Sequence, residues 1–195
     1  MHRVGAGIVL IAPEGPIILA RRPGGSTVVR QALRAACEAL GSASPPYLER
    51  PYLLLRRGHY VIAGAPGNGT EPVRRLSGRF VDLFDGDLPV RTGHDLLPGR
   101  QALLIDLDQL GSRSARVAAA SARIRDQRDA PGRLSFRAFG PSGTPFTARI
   151  VLPGVPHAAR ANGLPIPIDW DVASDTALLR HGNAPDGVAF EIEWA

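Results

Sequence analysis

The chain has no lysine. Its 23 basic residues are all arginine, and they are scattered, with short pairs at Arg21–Arg22, Arg56–Arg57 and Arg74–Arg75. Against 18 acidic residues they leave a formal charge of +5, which invites a polyanion partner. A phosphate-binding face, however, carries its charge as a cluster or stripe. Arginine without lysine, beside abundant Ala, Gly and Pro, fits coding bias better than selection for nucleic acid. The single cysteine, Cys37, excludes an internal disulfide and any zinc site built on paired cysteines. No apolar run approaches the ~18 residues a membrane helix needs, so no membrane partner is expected. The opening "MHRVGAGIVLIAPEGP" lacks the longer apolar region and small-residue cleavage site of a signal peptide.

Chemical motifs are equally scarce. The histidines, His2, His59, His94, His157 and His181, form no metal-binding pair at helical spacing. "GPSGT" approaches the Gly-x-Ser-x-Gly elbow of a nucleophilic serine without matching it. "RRPGGSTVV" offers arginines and amides at a helix start, but it lacks the P-loop lysine and reads more simply as a glycine turn and an N-cap. The residues therefore suggest no catalytic set, no metal and no cofactor.

What is present is pattern. "GIVLIA" is a short apolar run suited to a strand buried on both faces. "TVVRQALRAACEAL", capped by Ser26 or Thr27, places Val28, Ala32, Ala35, Ala36 and Leu40 near one helical face and stops at Gly41. "GSASPPYLERP" then marks a boundary, dividing a small α/β element at 1–46 from a domain at 47–195.

Beyond the boundary the period becomes two. "PYLLLRRGHYVIAG" reads as two runs around Arg57–Gly58 or one bulged strand, and "QALLIDL" as a buried strand. "RLSFRAF" turns Leu134, Phe136 and Ala138 one way and Ser135, Arg137 and Phe139 the other. "TPFTARIVL" points Phe146, Ala148, Ile150 and Leu152 inward, and "VAFEIEW" does the same with Val188, Phe190, Ile192 and Trp194. Trp170 falls in phase with Ile168 and Val172, which makes it core. The segment 115–128 fits either helix or strand; because "APGRLSFRAF" follows, a hairpin is preferred. Turn signals such as "NG" and "PDG" separate these runs at short spacing. The expected fold is mainly β: an antiparallel sandwich with a small N-terminal α/β element.

"RFVDLFDGDLPV" sets Asp82, Asp85 and Asp87 close together. The spacing does not match a calcium loop, and alternation on a strand would turn Asp82 and Asp85 to opposite faces, so a turn is the better reading. If the domain binds a ligand, loop residues should carry it. The candidates are Asp85, Asp87, His94 and Asn183.

Two family resemblances bear on function. "GAGIVLIAPEGPIILARRPGG" with "RAACEALG" resembles Nudix hydrolases. The residues matching the metal box are Arg34, Ala35, Glu38, Ala39 and Gly41, so two of its three core glutamates are replaced. "YLLLRRGHYVIAG", "LSGRFVDLFDGDLPV", "LLPGRQALLIDLD" and the closing "NGLPI … GNAPDGVAFEIEW" resemble the C-terminal β-sandwich of large bacterial glycoside hydrolases. "GIVLIA" and "VVRQALRAACEAL" are similar to the end of the α/β layer that precedes it, as though the chain began mid-architecture. The resemblance implies a non-catalytic accessory or structural domain of a bacterial carbohydrate-active enzyme; the single thiol does not fix the compartment, and a soluble protein of the bacterial cytoplasm is expected. Its partners would be a catalytic glycosidase barrel or a glycan. The alternatives are a small Nudix-like phosphohydrolase with a degenerate box, or a basic polyanion-binding protein.

Overall fold

A computed structural model describes residues 2–5, 7–9, 11, 14–41, 50–111 and 114–195. The chain divides into two compact units, Met1–Arg50 and Pro51–Ala195.

In the first unit, β1 (His2–Val4) pairs antiparallel with β2 (Gly7–Val9), and two helices follow, α1 (Pro16–Arg21) and α2 (Gly25–Leu40). Two expectations need correction. "GIVLIA" is not a strand buried on both faces. Among its described residues the strand ends at Val9, which is 43% exposed, and Ile11 is 76% exposed, because a two-stranded ribbon covers little on either side. The cap of α2 is Gly24 rather than Ser26 or Thr27. α1 runs almost directly into α2, and the reversal needs a left-handed residue, which Gly24 supplies at φ 76°. Of the expected apolar face, Ala32, Ala35 and Ala36 are half-buried and Val28 is exposed.

The second unit is mainly antiparallel β. β3 (Leu53–Arg57), β4 (Tyr60–Gly64), β5 (Arg74–Asp82), β6 (Val90–Leu96) and β7 (Gln101–Asp106) make a five-stranded sheet in the order β3-β4-β7-β5-β6, followed by the short α3 (Leu107–Leu110). Nine further strands build the sandwich: β8 (Arg116–Ala120), β9 (Arg123–Ala130), β10 (Arg133–Phe139), β11 (Pro145–Val151), β12 (Pro156–Ala161), β13 (Leu164–Pro165), β14 (Asp169–Asp171), β15 (Thr176–Gly182) and β16 (Val188–Trp194). They form a four-stranded sheet, β14-β15-β11-β8, facing a five-stranded one, β13-β12-β16-β10-β9.

The sandwich core is the one alternation specifies. Leu134, Phe136, Phe146, Ile150, Phe190 and Ile192 meet between the two sheets, each at most 2% exposed. Phe190 lies 4.7 Å from Phe146 and 5.2 Å from Phe136, ring centre to ring centre. Trp194 is buried and Trp170 packs against the same cluster, whereas Val172 is 75% exposed.

Segment 115–128 is extended, and its second half, β9, makes the expected hairpin with β10 across Pro131–Gly132, while β8 goes to another sheet. β8 pairs with β11 and β9 with β10, so the chain changes sheets at Ser121–Ala122. Arginines on β9 are tolerated because β9 is an edge strand.

The four-stranded sheet is buried on both faces. Val151, Leu178 and Ala119 turn away from the sandwich core and meet Val81, Leu88, Ile105, Leu107 and Leu110 of the first sheet and its connections. The first sheet closes over a separate core of Val61, Leu76, Phe80, Leu96 and Leu104. Three sheets thus stack, with apolar side chains in both interlayers and Thr147, Arg149 and Thr176 buried among them on the middle sheet.

Arg79 ties the layers at one edge. Its Nε donates to Asp108 Oδ1 at 2.7 Å, its backbone N–H to Asp108 Oδ2 at 3.0 Å, and its Nη1 to the carbonyl of Ala173 at 3.1 Å. The bulge that turns Arg79 this way rests on Gly78 at φ 134°, where a Cβ would crowd Phe80 at 3.1 Å. The hydrogen bond from Arg79 holds the Asp108 carboxyl below its ordinary value. A depressed carboxylate stabilises the fold above its unfolded pKa, about 3.9, and that contribution disappears as pH falls through the lower folded value. Asp108→Asn is therefore expected to lower the unfolding midpoint at pH 7, with the gap to wild type closing below about pH 4. A gap that stays constant across an acid titration would show that the charge is not what matters.

Candidate functional site

The outer face of the five-stranded sandwich sheet carries a concentration of charge. Strand pairing sets it out in rows. Arg128 of β9 stands beside Ser135 of β10, Ser135 beside Glu191 of β16, and Glu191 beside Arg160 of β12. In the next row Arg125, Arg137 and Ala189 are neighbours. Ser135 and Ala189 are short, so between the arginines the surface dips toward Phe136 and Phe190. The resulting open groove has a volume of about 360 Å³, and Asp126, Arg128, Arg137, Arg160, Gly163 and Glu191 stand around it.

The charges are unevenly matched. Glu191 is clamped by Arg133 and lies 3.7 Å from Arg160, which also donates to Glu193 at 3.1 Å. Burial tends to raise the Glu193 pKa, but the charge and hydrogen bond of Arg160 outweigh it and hold the carboxyl below its ordinary value. Arg137 donates to the carbonyl of Asp186 at 3.0 Å and lies over the Phe139 ring at 5.4 Å, with Arg125 over the same ring at 5.8 Å. Neither contact neutralises it. Arg128 makes no ion pair among the described residues.

The Phe139 platform needs Gly187, whose φ is 85° and whose Cβ, if present, would stand 2.6 Å from the ring. Gly187→Ala is expected to cost about 2 kcal/mol, from the left-handed backbone and the crowding together. Urea unfolding checks this. In a Phe139→Ala background the crowding is gone and the penalty should fall to about 1 kcal/mol.

The residues expected from the sequence lie elsewhere. Asp85 and Asp87 share the β5–β6 turn. The Asp85 side chain accepts from the Asp87 N–H at 3.1 Å, and Asp82 accepts from the Phe84 N–H at 3.0 Å. Arg91 reaches both Asp82, at 3.5 Å, and Asp85, at 3.4 Å. The two carboxylates therefore do converge, against the alternation argument, because β5 ends at Asp82 and the chain turns before Asp85. Asp87 pairs with Arg180 at 3.2 Å in an exposed position. His94 is half-buried on β6 opposite Leu76. Asn183 donates to Thr144 Oγ1 and to the carbonyl of Pro145, each at 3.0 Å, closing the end of the sandwich. The four belong to three different elements, and only Asp85 and Asp87 sit together.

Among the described residues no set of three or more His, Cys, Asp or Glu side chains is placed to hold a metal ion. Glu38, the surviving acidic residue of the Nudix-like stretch, is exposed on α2. Among the described residues, no helix is long and apolar enough to cross a membrane.

No family model and no curated protein matches the chain. Among solved structures it is similar to a mutant of the GH31 dextranase FjDex31A from Flavobacterium johnsoniae, complexed with isomaltotriose. The TM-score is 0.36 and the identity 8%, over 69% of this chain and 26% of that one. The chain thus spans about a quarter of the length of that enzyme.

Proposed function

We propose that the chain is a non-catalytic accessory domain of a carbohydrate-active enzyme, one that packs against a catalytic glycosidase domain or contacts glycan. The resemblance of ordered sequence phrases to the C-terminal sandwiches of bacterial glycoside hydrolases supports this reading. The observation that carries it is the way the second unit uses its interior. Apolar side chains pack the sandwich interior, and the other face of the middle sheet is covered by apolar residues of the first sheet together with the buried Thr147, Arg149 and Thr176. On the outer surface, the groove of the distal sheet offers donors and acceptors side by side. Sugar hydroxyls need that mixture, since each both donates and accepts.

Native electrophoresis through gels cast with a panel of plant and bacterial polysaccharides, run beside hydrolysis assays on the same glycans, tests the reading. Retardation without turnover is the expected result. Magnesium-dependent hydrolysis of nucleoside diphosphate derivatives, lost on Glu38→Ala, would instead establish the phosphohydrolase alternative.

A further inference from the structure

We propose that the groove on the distal sheet binds an acidic oligosaccharide, with Arg128 and Arg137 holding a uronate carboxylate. The inference rests on the accessory-domain reading and narrows it to one class of glycan and one face of the fold. Size is the first argument. At about 360 Å³ the groove lies at the lower end of the ~300–1,000 Å³ typical of small-ligand sites, room for a short stretch of sugar. Its charge is the second. Glu191 and Glu193 are held by Arg133 and Arg160, so these four residues together present little net charge to a ligand. Arg137 meets only a carbonyl and a ring face, and Arg128 has no ion pair among the described residues. Two guanidinium groups remain against the single carboxylate of Asp126. A guanidinium presents parallel N–H donors that match a carboxylate's two oxygens, which selects an acidic sugar over a neutral one.

The floor supplies the third argument. Ser135 and Ala189 are the smallest side chains of their rows, so a ring can approach the sheet between the arginines while Ser135 and Glu191 reach its hydroxyls. The patch is also short. Nucleic acid is bound by a longer run of cations tracking the backbone; of the three arginines lining this groove, Arg160 is engaged by Glu191 and Glu193, which leaves Arg128 and Arg137.

Titration calorimetry of the full chain at 150 mM salt with trigalacturonate, maltotriose, inorganic phosphate and a short oligothymidylate tests the assignment. Trigalacturonate should bind with a sub-millimolar Kd and at least tenfold more tightly than maltotriose or phosphate. Arg128→Glu, on an exposed edge strand, should weaken it at least tenfold with the melting temperature unchanged. Arg74→Glu, the same charge change on another sheet, should not. Equal binding of maltotriose and trigalacturonate would overturn the acidic specificity while leaving the accessory reading in place. Phosphate or oligothymidylate binding as tightly as trigalacturonate would reduce the groove to a general anion patch and overturn the proposal. No sugar binding, or binding indifferent to Arg128→Glu, also overturns it. Hydrolysis of a glycan by the chain would instead defeat the accessory reading itself.

Discussion

Phe190→Ala should remove about 3–5 kcal/mol of stability, the usual cost of emptying a Phe-sized site in a close-packed core. Phe190 is 2% exposed on β16, a central strand of the distal sheet, with Phe136 and Phe146 stacked near it and His181 edge-on at 5.7 Å. Three aromatic rings around one position cannot close a void of that size without leaving their rotamers, so the cavity should persist. Net stabilities of domains are about 5–15 kcal/mol, which makes this a large fraction of the whole. For a unit of this length the melting temperature should fall by roughly 10 °C or more. Phe190→Leu keeps most of the volume and should cost about 1–2 kcal/mol. Denaturant melts of the two variants give the comparison. If Phe190→Ala lost less than about 1 kcal/mol, the site would not be a dry packed core.

How far the sequence reveals this fold depends on whether one face of a strand is wet. β10 and β16 alternate cleanly, because their outward residues, Ser135, Arg137, Glu191 and Glu193, meet solvent. β11 alternates in the same way on paper, and its inward set is Phe146, Ala148 and Ile150. Yet its polar set, Thr147 and Arg149, is buried as well, by a sheet formed more than forty residues earlier in the chain. Period two reports which side chains share a face. It does not report what covers that face, since a hydroxyl and a guanidinium look equally suited to water. The β8–β9 sheet change is hidden for a related reason. Local alternation makes both segments extended, but the choice of partner strand is made by distant packing.

The candidate site was legible to the same degree. Ser135, Arg137 and Glu191 follow from the strand pattern. Arg128 does not, because β9 carries a register shift between Ser135 and Arg137 on its partner, with Asp126 at φ 54°, so counting residues puts Arg125 and Arg128 on opposite faces. The bulge returns both to the outer face beside Arg137 and Ser135. Asp85, Asp87 and Asn183 are legible as loop residues, and in the structure Asp85 accepts from the Asp87 N–H while Asn183 donates to Thr144 and Pro145.

Arg149 is where the stack of three sheets can be tested most directly. Its guanidinium is buried between the first and second sheets, with Nε at 3.1 Å and Nη2 at 2.9 Å from the carbonyl of Leu88, and Nη1 at 3.5 Å from Thr176 Oγ1. Leu88 itself is at φ 48°, a backbone conformation that a leucine adopts only when its surroundings require it. Arg149 therefore fixes a strained turn of one sheet from a strand of the next. Burial draws its pKa below the ordinary value, which means that the charge is held at some cost. Arg149→Ala removes that cost but leaves a buried carbonyl without its donors and a cavity where the stem packed. The carbonyl accounts for about 1–3 kcal/mol and the missing stem for more, so a net loss of about 2–4 kcal/mol is expected. Arg149→Lys separates the two contributions. An ammonium cannot give the forked contact, and burial should lower its folded pKa as it does for the arginine. The unfolded chain then binds more protons than the folded one, so stability must rise with pH between the lowered folded pKa and the unfolded value of about 10.4. The wild type, whose arginine stays protonated in both states across that range, should be flat by comparison. A lysine variant as flat as the wild type between pH 7 and about 10 would mean that position 149 is wet, and that the first sheet does not cover the second.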